Sequence, residues 1–397
     1  MSHARGIPSV TYMRVQQIGS GGGDVVQDGN NVITILEPGN PSSRHEVAQV
    51  LPKGATDDEV CEMTIGNQAG AGIGASLNPI HAFVHDAATA LILVIGSKNT
   101  RKSIFLRKKY LPFLSAELFA TIQEKEEQSH SVEMYSWQMS LSSFEIQDEV
   151  ITDLLRPSNR GLGVSISAED GVMVSGIHKE QVTNERELAD ALIGSCDNRA
   201  SHTLPPGASL ETSTAVWEIE LRQSEHDESG IPKTCYSRIV VVDVPCVDVL
   251  VAGGTNIRNL ESPTLHKSLL IFSDVCKRLS TPSRAALAPF RSSKLTHYLS
   301  EMLGGNSIVV GLGVITNGEP AVSRKTLDLV GSLNNAIHFP VGGRELTEVL
   351  QGLLTKYRSL ILQLQDEIQN GAPIGEKAPD ITTVSYTHLT LPTKRIV

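Results

Sequence analysis

The stretch APFRSSKLTHYLSEMLGGNS, Ala288 to Ser307, decides how the rest of this 397-residue chain is read. Its middle, SSKLTHYLSEMLGG, reads as a helix that Gly304 and Gly305 stop. The next segment, SIVVGLGVIT (Ser307–Thr316), is apolar on both faces, as a strand buried between neighbours must be. On the other side, TLHKSLLIFSDVCKRLS (Thr264–Ser280) carries helical periodicity, and SRIVVVDV (Ser237–Val244) is a second apolar strand, running into the acid Asp243.

Further upstream the same alternation continues. SVEMYSWQMSLSSFEI (Ser131–Ile146) and AVWEIELRQ (Ala215–Gln223) alternate as strands do. ATALILVIG (Ala88–Gly96) is a continuous apolar run, and RKSIFLRKKYLPFLSAELFATIQEKEEQ (Arg101–Gln128) follows as a helix, expected to break near Pro112. Residues 1–45 are rich in Gly, Asn and Pro around two β-like runs, SVTYMRV and NVITIL, and His45 to about Ile80 reads as polar chain. Buried strands alternating with helices predict an α/β fold, a central, mostly parallel sheet flanked by helices.

Between the Ala88–Gly96 strand and the helix lies VIGSKNTRKSIF (Val94–Phe105). It has the outline of a phosphate-binding loop, Gly-x-x-x-x-Gly-Lys-Ser/Thr, with Gly96, Lys102 and Ser103 in place and Arg101 where the second glycine belongs. In such a loop backbone N–H groups wrap phosphates, the lysine neutralises them and the hydroxyl holds Mg²⁺. A residue with a Cβ resists the tight turn that glycine allows, at a cost of ~1–3 kcal/mol. The stretch therefore reads either as a weakened nucleotide site or as a strand–turn–helix with a basic, solvated turn.

Composition narrows the function classes. With 40% hydrophobic and 20% charged residues the chain has the balance of a soluble globular protein. A net charge of −10 argues against nucleic-acid binding through bulk charge, and 4% aromatic content against a base-stacking surface. Cys61, Cys196, Cys235, Cys246 and Cys276 lie far apart with no CxxC pair, as reduced cytoplasmic thiols do. The longest apolar run covers nine residues, short of the ~20 that span a bilayer, so no membrane partner is expected.

The segment Ala288–Ser307 closely resembles, without gaps, the most distinctive stretch of kinesin motor domains, V-P-Y-R-x-S-K-L-T-x-L-L-x-D-S-L-G-G-N-S. KSLLIFSDVCKRL (Lys267–Leu279) is similar to the family helix N-K-S-L-x-x-L-x-x-V-I, with His266 in the Asn place, and FEIQDEVITDLL (Phe144–Leu155) looks like L-E-I-Y-N-E-x-V-x-D-L-L. All landmarks fall in the family's order. The resemblance implies a P-loop NTPase motor domain over residues 1–343, binding ATP and Mg²⁺ through Gly96, Ser97, Lys98, Asn99, Thr100, Arg101, Lys102 and Ser103, with Ser103 and Asp243 serving the metal and microtubules as partner.

The resemblance also shows losses. The first switch, N-x-x-S-S-R-S-H, corresponds to SCDNRASH (Ser195–His202): Arg199 stands where the Mg²⁺-ligating serine belongs and Ala200 where the arginine belongs, unless a one-residue slip restores Arg199 to the arginine place. The second switch, D-L-A-G-S-E, corresponds to DVPCVD: Asp243 is kept, Pro245 and Cys246 replace the Ala and the phosphate-sensing glycine, and Asp248 replaces the glutamate. If the site is active, the resemblance makes Asp243 and Asp248 its candidate catalytic residues. The purine-side R-x-R-P reads Arg14, Val15, Gln16, Gln17. On the face that kinesins turn to acidic tubulin, Lys267, Arg291 and Lys294 sit at matching positions, with Lys277 and Arg278 nearby.

Leu346, Leu350, Leu353, Tyr357, Leu360 and Leu364 recur at spacings of four and three, a seam for either a coiled coil or a docked amphipathic helix, and self-association through 346–368 is expected. A neck helix over 344–370 and a disordered tail over 371–397 follow, of which VSYTHLTLPTKRIV (384–397) has the look of translated adaptor sequence. Three functions are carried forward: a cytoskeletal, microtubule-binding pseudo-motor with weak or lost ATPase; a slow but active ATP-driven motor; and a kinesin fold reused as a protein-interaction module.

Overall fold

Eleven strands form one sheet among the residues that the computed structural model describes, which are 7–16, 25–36, 41–66, 68–69, 78–128, 135–167, 171–202, 212–226, 232–251 and 263–340. All belong to the unit Met1–Leu346; the expected neck helix and tail lie outside the described residues.

From one edge the strands run Gly171–Ser175, Arg160–Ser167, Val150–Asp153, Tyr135–Gln147, Thr214–His226, Pro232–Asp243, Ala90–Gly96, Ile308–Thr316, Val10–Gln16 and Gln49–Val50, with Glu180–Val182 paired to Tyr135–Gln147. The expectation of a mostly parallel sheet is corrected. Pairing is parallel only from Pro232–Asp243 to Gln49–Val50, and antiparallel through the other half. The reason is connection length. Thr214–His226 and Pro232–Asp243 are separated by residues 227–231, enough for a hairpin and too few for a parallel crossover. The parallel strands Ala90–Gly96 and Ile308–Thr316 are buried at every position, as the apolar runs required.

Helices cover both faces. On one, Val60 and Cys61 of Asp57–Thr64, Phe83 of Pro79–Val84, Leu114 and Leu118 of Leu111–Gln128, and Leu188 of Glu185–His202 pack against Ile92, Val94 and Trp217. On the other, Leu269 and Phe272 of Pro263–Leu279, Tyr298, Met302 and Leu327 of Pro320–Asn334 pack against Leu93, Val242 and Ile315. The helix Asp57–Thr64 falls in chain that read as merely polar. Its signal was Thr56 and Glu59, which form a reciprocal capping box.

Pro112 does not break its helix. Lys102–Phe105, a π turn at Leu106–Tyr110 and Leu111–Gln128 follow one another directly, with the Leu111 N–H donating to the Leu106 carbonyl. The wider turn just before Pro112 absorbs the missing donor and the ring clash that proline brings to a regular helix. The SSKLTHYLSEMLGG helix is two short turns, Lys294–Tyr298 and Ser300–Leu303, the first capped by the Ser293 hydroxyl accepting from the Thr296 N–H.

Candidate nucleotide site and polymer-facing surface

The Ala90–Gly96 strand lies between Pro232–Asp243 and Ile308–Thr316, all parallel, so their carboxyl ends meet at one rim of the sheet. Ligands of open α/β sheets bind outside such a rim. Gly96 sits so close to the neighbouring strand that a Cβ there would stand 2.8 Å from the Val314 carbonyl oxygen. The loop then closes on itself, the Thr100 hydroxyl donating to the Ser97 carbonyl at 2.6 Å. Arg101 takes the left-handed conformation, φ 52° and ψ 31°. The backbone a glycine would adopt is thus kept without the glycine, at a cost of ~1–2 kcal/mol, and the Arg101 side chain is exposed.

Behind the loop the residues that the sequence singled out converge on Asp243. Its Oδ1 accepts from the Lys102 ammonium at 2.5 Å; its Oδ2 accepts from the Ser103 hydroxyl at 2.6 Å and from Arg199 Nη1 at 2.7 Å. Arg199 also approaches Glu145 Oε1 at 3.4 Å and donates Nη2 to the Ser213 carbonyl at 2.8 Å. Lys102, Asp243, Arg199 and Glu145 are all buried. Burial alone would raise the Asp243 carboxyl, but Lys102 and Arg199 beside it hold it below its ordinary value. Two cations and two carboxylates leave the cluster formally neutral, which is what permits such a group inside a protein.

The second switch turns back onto the loop. Asp248 Oδ2 accepts the backbone N–H of Lys98 at 2.9 Å, a donor a phosphate loop offers to its ligand. Burial raises the Asp248 carboxyl, with Glu319 adding to the effect. Glu319 in turn accepts from the Asn99 amide at 2.6 Å. Cys246 is buried and Pro245 beside it has no N–H to give. Among the described residues the Ser97 hydroxyl, 2% exposed, has no hydrogen-bond partner, and neither does Glu145 Oε2.

Mg²⁺ does not fit this donor set. Ser103 and Asp243 are the residues that would serve the metal, yet both already share the Asp243 Oδ2 with a guanidinium. Unit charges ~4 Å apart near a protein surface repel by about 4 kcal/mol, and a divalent ion doubles this. On the purine side Arg14 is drawn away, its Nη2 bound to Asp57 at 2.7 Å and its guanidinium 5.5 Å from the Phe105 ring centroid. Positions 200–202 continue the helix Glu185–His202; Gln17 and the side chains of Ala200, Ser201 and His202 lie outside the described residues.

The second surface is carried by Pro263–Leu279 and the SSKLT segment. Lys267, Lys277 and Arg291 are exposed, as are Leu270 at 49% and Leu287 at 68%. Lys294 differs from them: it is half-buried and its ammonium donates to the Leu162 carbonyl at 2.9 Å. The two helices are tied together by the FEIQDEVITDLL hairpin, whose turn residues Asp148 and Glu149 both have positive φ. Glu149 accepts the Ser268 hydroxyl at 2.5 Å and the Lys294 backbone N–H at 2.6 Å. Glu149→Ala strands the Lys294 N–H, while the Ser268 hydroxyl keeps the Thr264 carbonyl at 3.0 Å, and should lower unfolding stability by about 1–3 kcal/mol, with Glu149→Gln losing less; urea titration of the three chains reads the difference.

Gly96, Ser97, Thr100, Lys102, Ser103, Asp243, Asp248 and Arg199 are therefore assembled at one rim, while Lys98, Asn99 and Arg101 line its outer side. Glu145, Ser213 and Glu319 were missed. Glu145 lay inside a quoted motif; the other two carry no local signal.

The kinesin motor domain family model matches residues 107–328, a span that opens just after the Gly96–Ser103 loop. Kinesin-related protein 1 of Dictyostelium discoideum is 29% identical over 244 residues, covering 58% of this chain and 11% of that protein. Kinesin-like protein KIF19 of Homo sapiens is 28% identical over 262 residues (64% and 25%), and kinesin-like protein KIF18B of Gallus gallus 23% over 322 residues (81% and 38%). The chain thus spans well under half the length of these relatives. Among solved structures, a fast kinesin superposes with a TM-score of 0.69 at 19% identity, covering 85% of this chain and 94% of that one. A microtubule-bound KIF14 dimer gives 0.70 at 19% identity, covering 88% and 100%. With the family model matched over more than half of its length and the same fold in both solved motors, this chain belongs to the kinesin motor domain family.

Proposed function

We propose that the chain is a kinesin-like, microtubule-binding protein whose ATP hydrolysis is weak or lost, acting as a scaffold on the cytoskeleton rather than as a fast motor. The observation that carries this is the Arg199 guanidinium on Asp243, 2.7 Å from the oxygen that also holds Ser103. In the ungapped correspondence it takes the place in which the family resemblance puts a metal-binding serine, and it does so next to a phosphate lysine already paired with the same acid. The solved KIF14 dimer is in complex with a microtubule, and this chain shares its fold. Exposed Lys267 and Arg291, with Leu270 between exposed charges on the same helix, supply what an acidic polymer surface would recognise. Lys294 contributes by holding its segment to the Arg160–Ser167 strand. A motor unit over 1–343, a neck at 344–370 that pairs two copies through 346–368, and a tail beyond it complete the proposed organisation.

Co-sedimentation with polymerised tubulin tests the reading. The wild-type chain should pellet, and the double variant Lys267→Ala with Arg291→Ala should bind roughly 3- to 10-fold more weakly, with a shallower dependence on salt. Pelleting unchanged by the double variant would show that the wrong face was chosen. No pelleting of the wild type would favour the interaction-module reading instead.

A further inference from the structure

The Gly96–Ser103 loop, where Mg²⁺ does not fit, keeps the left-handed turn of a phosphate loop at Arg101, and three observations bear on what it can hold. First, Asp243 has more partners than it needs. Were Lys102 to leave, Oδ2 would keep both Arg199 and Ser103, so the carboxylate would not be stranded. Second, Lys98 N–H is taken by a side-chain anion, Asp248, which marks it as a donor facing negative charge. Third, the buried Ser97 hydroxyl in the loop has no hydrogen-bond partner among the described residues, an unmet capacity that a ligand could meet.

We propose that the Gly96–Ser103 loop binds a nucleoside polyphosphate without a divalent metal, Arg199 standing as the resident cation on Asp243 while Asp248 yields the Lys98 amide to phosphate. In this arrangement Lys102 swings from Asp243 to the ligand, and Arg101 and Lys98, exposed on the outer side of the loop, meet its remaining charge. No bond is made or broken. The metal's usual work, neutralising Asp243 and screening adjacent phosphates, is divided among the chain's own side chains. The proposal rests on the reading above only in taking Gly96–Ser103 as a phosphate loop; it needs neither microtubule binding nor lost turnover to hold.

Calorimetric titration of the full chain with ATP, once in EDTA and once in excess Mg²⁺, tests it without any variant. The dissociation constants are expected to agree within about threefold. Binding that is about tenfold or more tighter with Mg²⁺ overturns the proposal. Absence of binding in both buffers also overturns it, and shows the loop closed by its own side chains; tubulin pelleting would be untouched by that result, so the two readings fail separately. Two variants sharpen the comparison. Asp248→Ala, which frees the Lys98 amide, should tighten ATP binding about 3- to 10-fold in EDTA, and no tightening would remove Asp248 from the proposal. Arg199→Ser should make binding depend on Mg²⁺ by about tenfold; a folded Arg199→Ser chain that remains indifferent to Mg²⁺ would show that Arg199 is not the substitute cation.

Discussion

Asp243→Ala is expected to cost about 3–5 kcal/mol of unfolding stability, the largest loss of any single polar substitution in the site. The change removes the anion that Lys102 and Arg199 share and leaves two buried cations against Glu145 alone. Urea unfolding should show a large fall in midpoint with little change in slope, because the surface exposed on unfolding is nearly the same. Lys102→Met also unbalances the cluster by one charge, but should cost less than Asp243→Ala, since Arg199 and the Ser103 hydroxyl still satisfy the carboxylate. The contrast between the two variants measures the redundancy on which metal-free phosphate binding depends. Acid titration offers an independent reading. Lys102 and Arg199 hold the Asp243 carboxyl below its ordinary 3.8, so the stability it contributes is complete above about pH 4 and is lost as pH falls through the depressed value. The Asp243→Ala chain lacks that part of the acid limb. A loss under about 1 kcal/mol would mean that the four-residue cluster does not form in solution.

The sequence carried the central strands well because burial on both faces leaves no polar alternation to misread. Ala90–Gly96 and Ile308–Thr316 are apolar runs for that reason alone. It misjudged the sheet as mostly parallel because the long strands Tyr135–Gln147 and Thr214–His226 were read by content and not by their connections. As read, Ala215–Gln223 and Ser237–Val244 left residues 224–236 between them, room for a crossover; the strands are longer than the sequence pattern showed, and the remaining gap of 227–231 requires an antiparallel partner. Pro112 misled in a similar way: the expectation of a break assumed regular α-helical bonding, and the π turn before it relaxes that assumption.

In the site, the legible part was whatever sits in one short window. Gly96, Lys102 and Ser103 share a loop, and Asp243 ends a strand. The illegible part is long-range. Glu145 and Ser213 come from chain 54 and 14 residues from Arg199, and nothing in their local sequence marks them as its partners. Arg101 is a subtler case. The missing glycine argued against the loop's turn, yet the residue adopts it, because flanking strand, helix and the Thr100–Ser97 bond fix the backbone from both sides. The turn's shape therefore survives a substitution that its chemistry does not obviously tolerate, and shape and turnover must be tested apart.

Turnover is where the largest functional effect is expected. Phosphate release from ATP should stay within a few-fold of its basal rate when polymerised tubulin is added. Phosphoryl transfer depends on positioning and on charges fixed where negative charge develops, and removing one such group costs about 10²–10³ in rate. Taken without a gap, the family resemblance places an arginine–glutamate pair at positions 200 and 248, which here are Ala200 and Asp248, and Asp248 is engaged with the Lys98 amide. Restoring the family's residues in one chain, Arg199→Ser, Ala200→Arg and Asp248→Glu, returns the hydroxyl and both halves of the pair, and should raise tubulin-stimulated release by at least about tenfold. Each single change should do little, because serine at 199 without the pair, or the pair while a guanidinium still occupies Asp243, leaves the site incomplete. Wild-type release stimulated well above background would establish a slow motor in place of a pseudo-motor. Failure of the folded triple variant would place the deficit in Pro245, Cys246 and the backbone of the second switch, where a missing amide donor cannot be restored by any side chain at 199, 200 or 248.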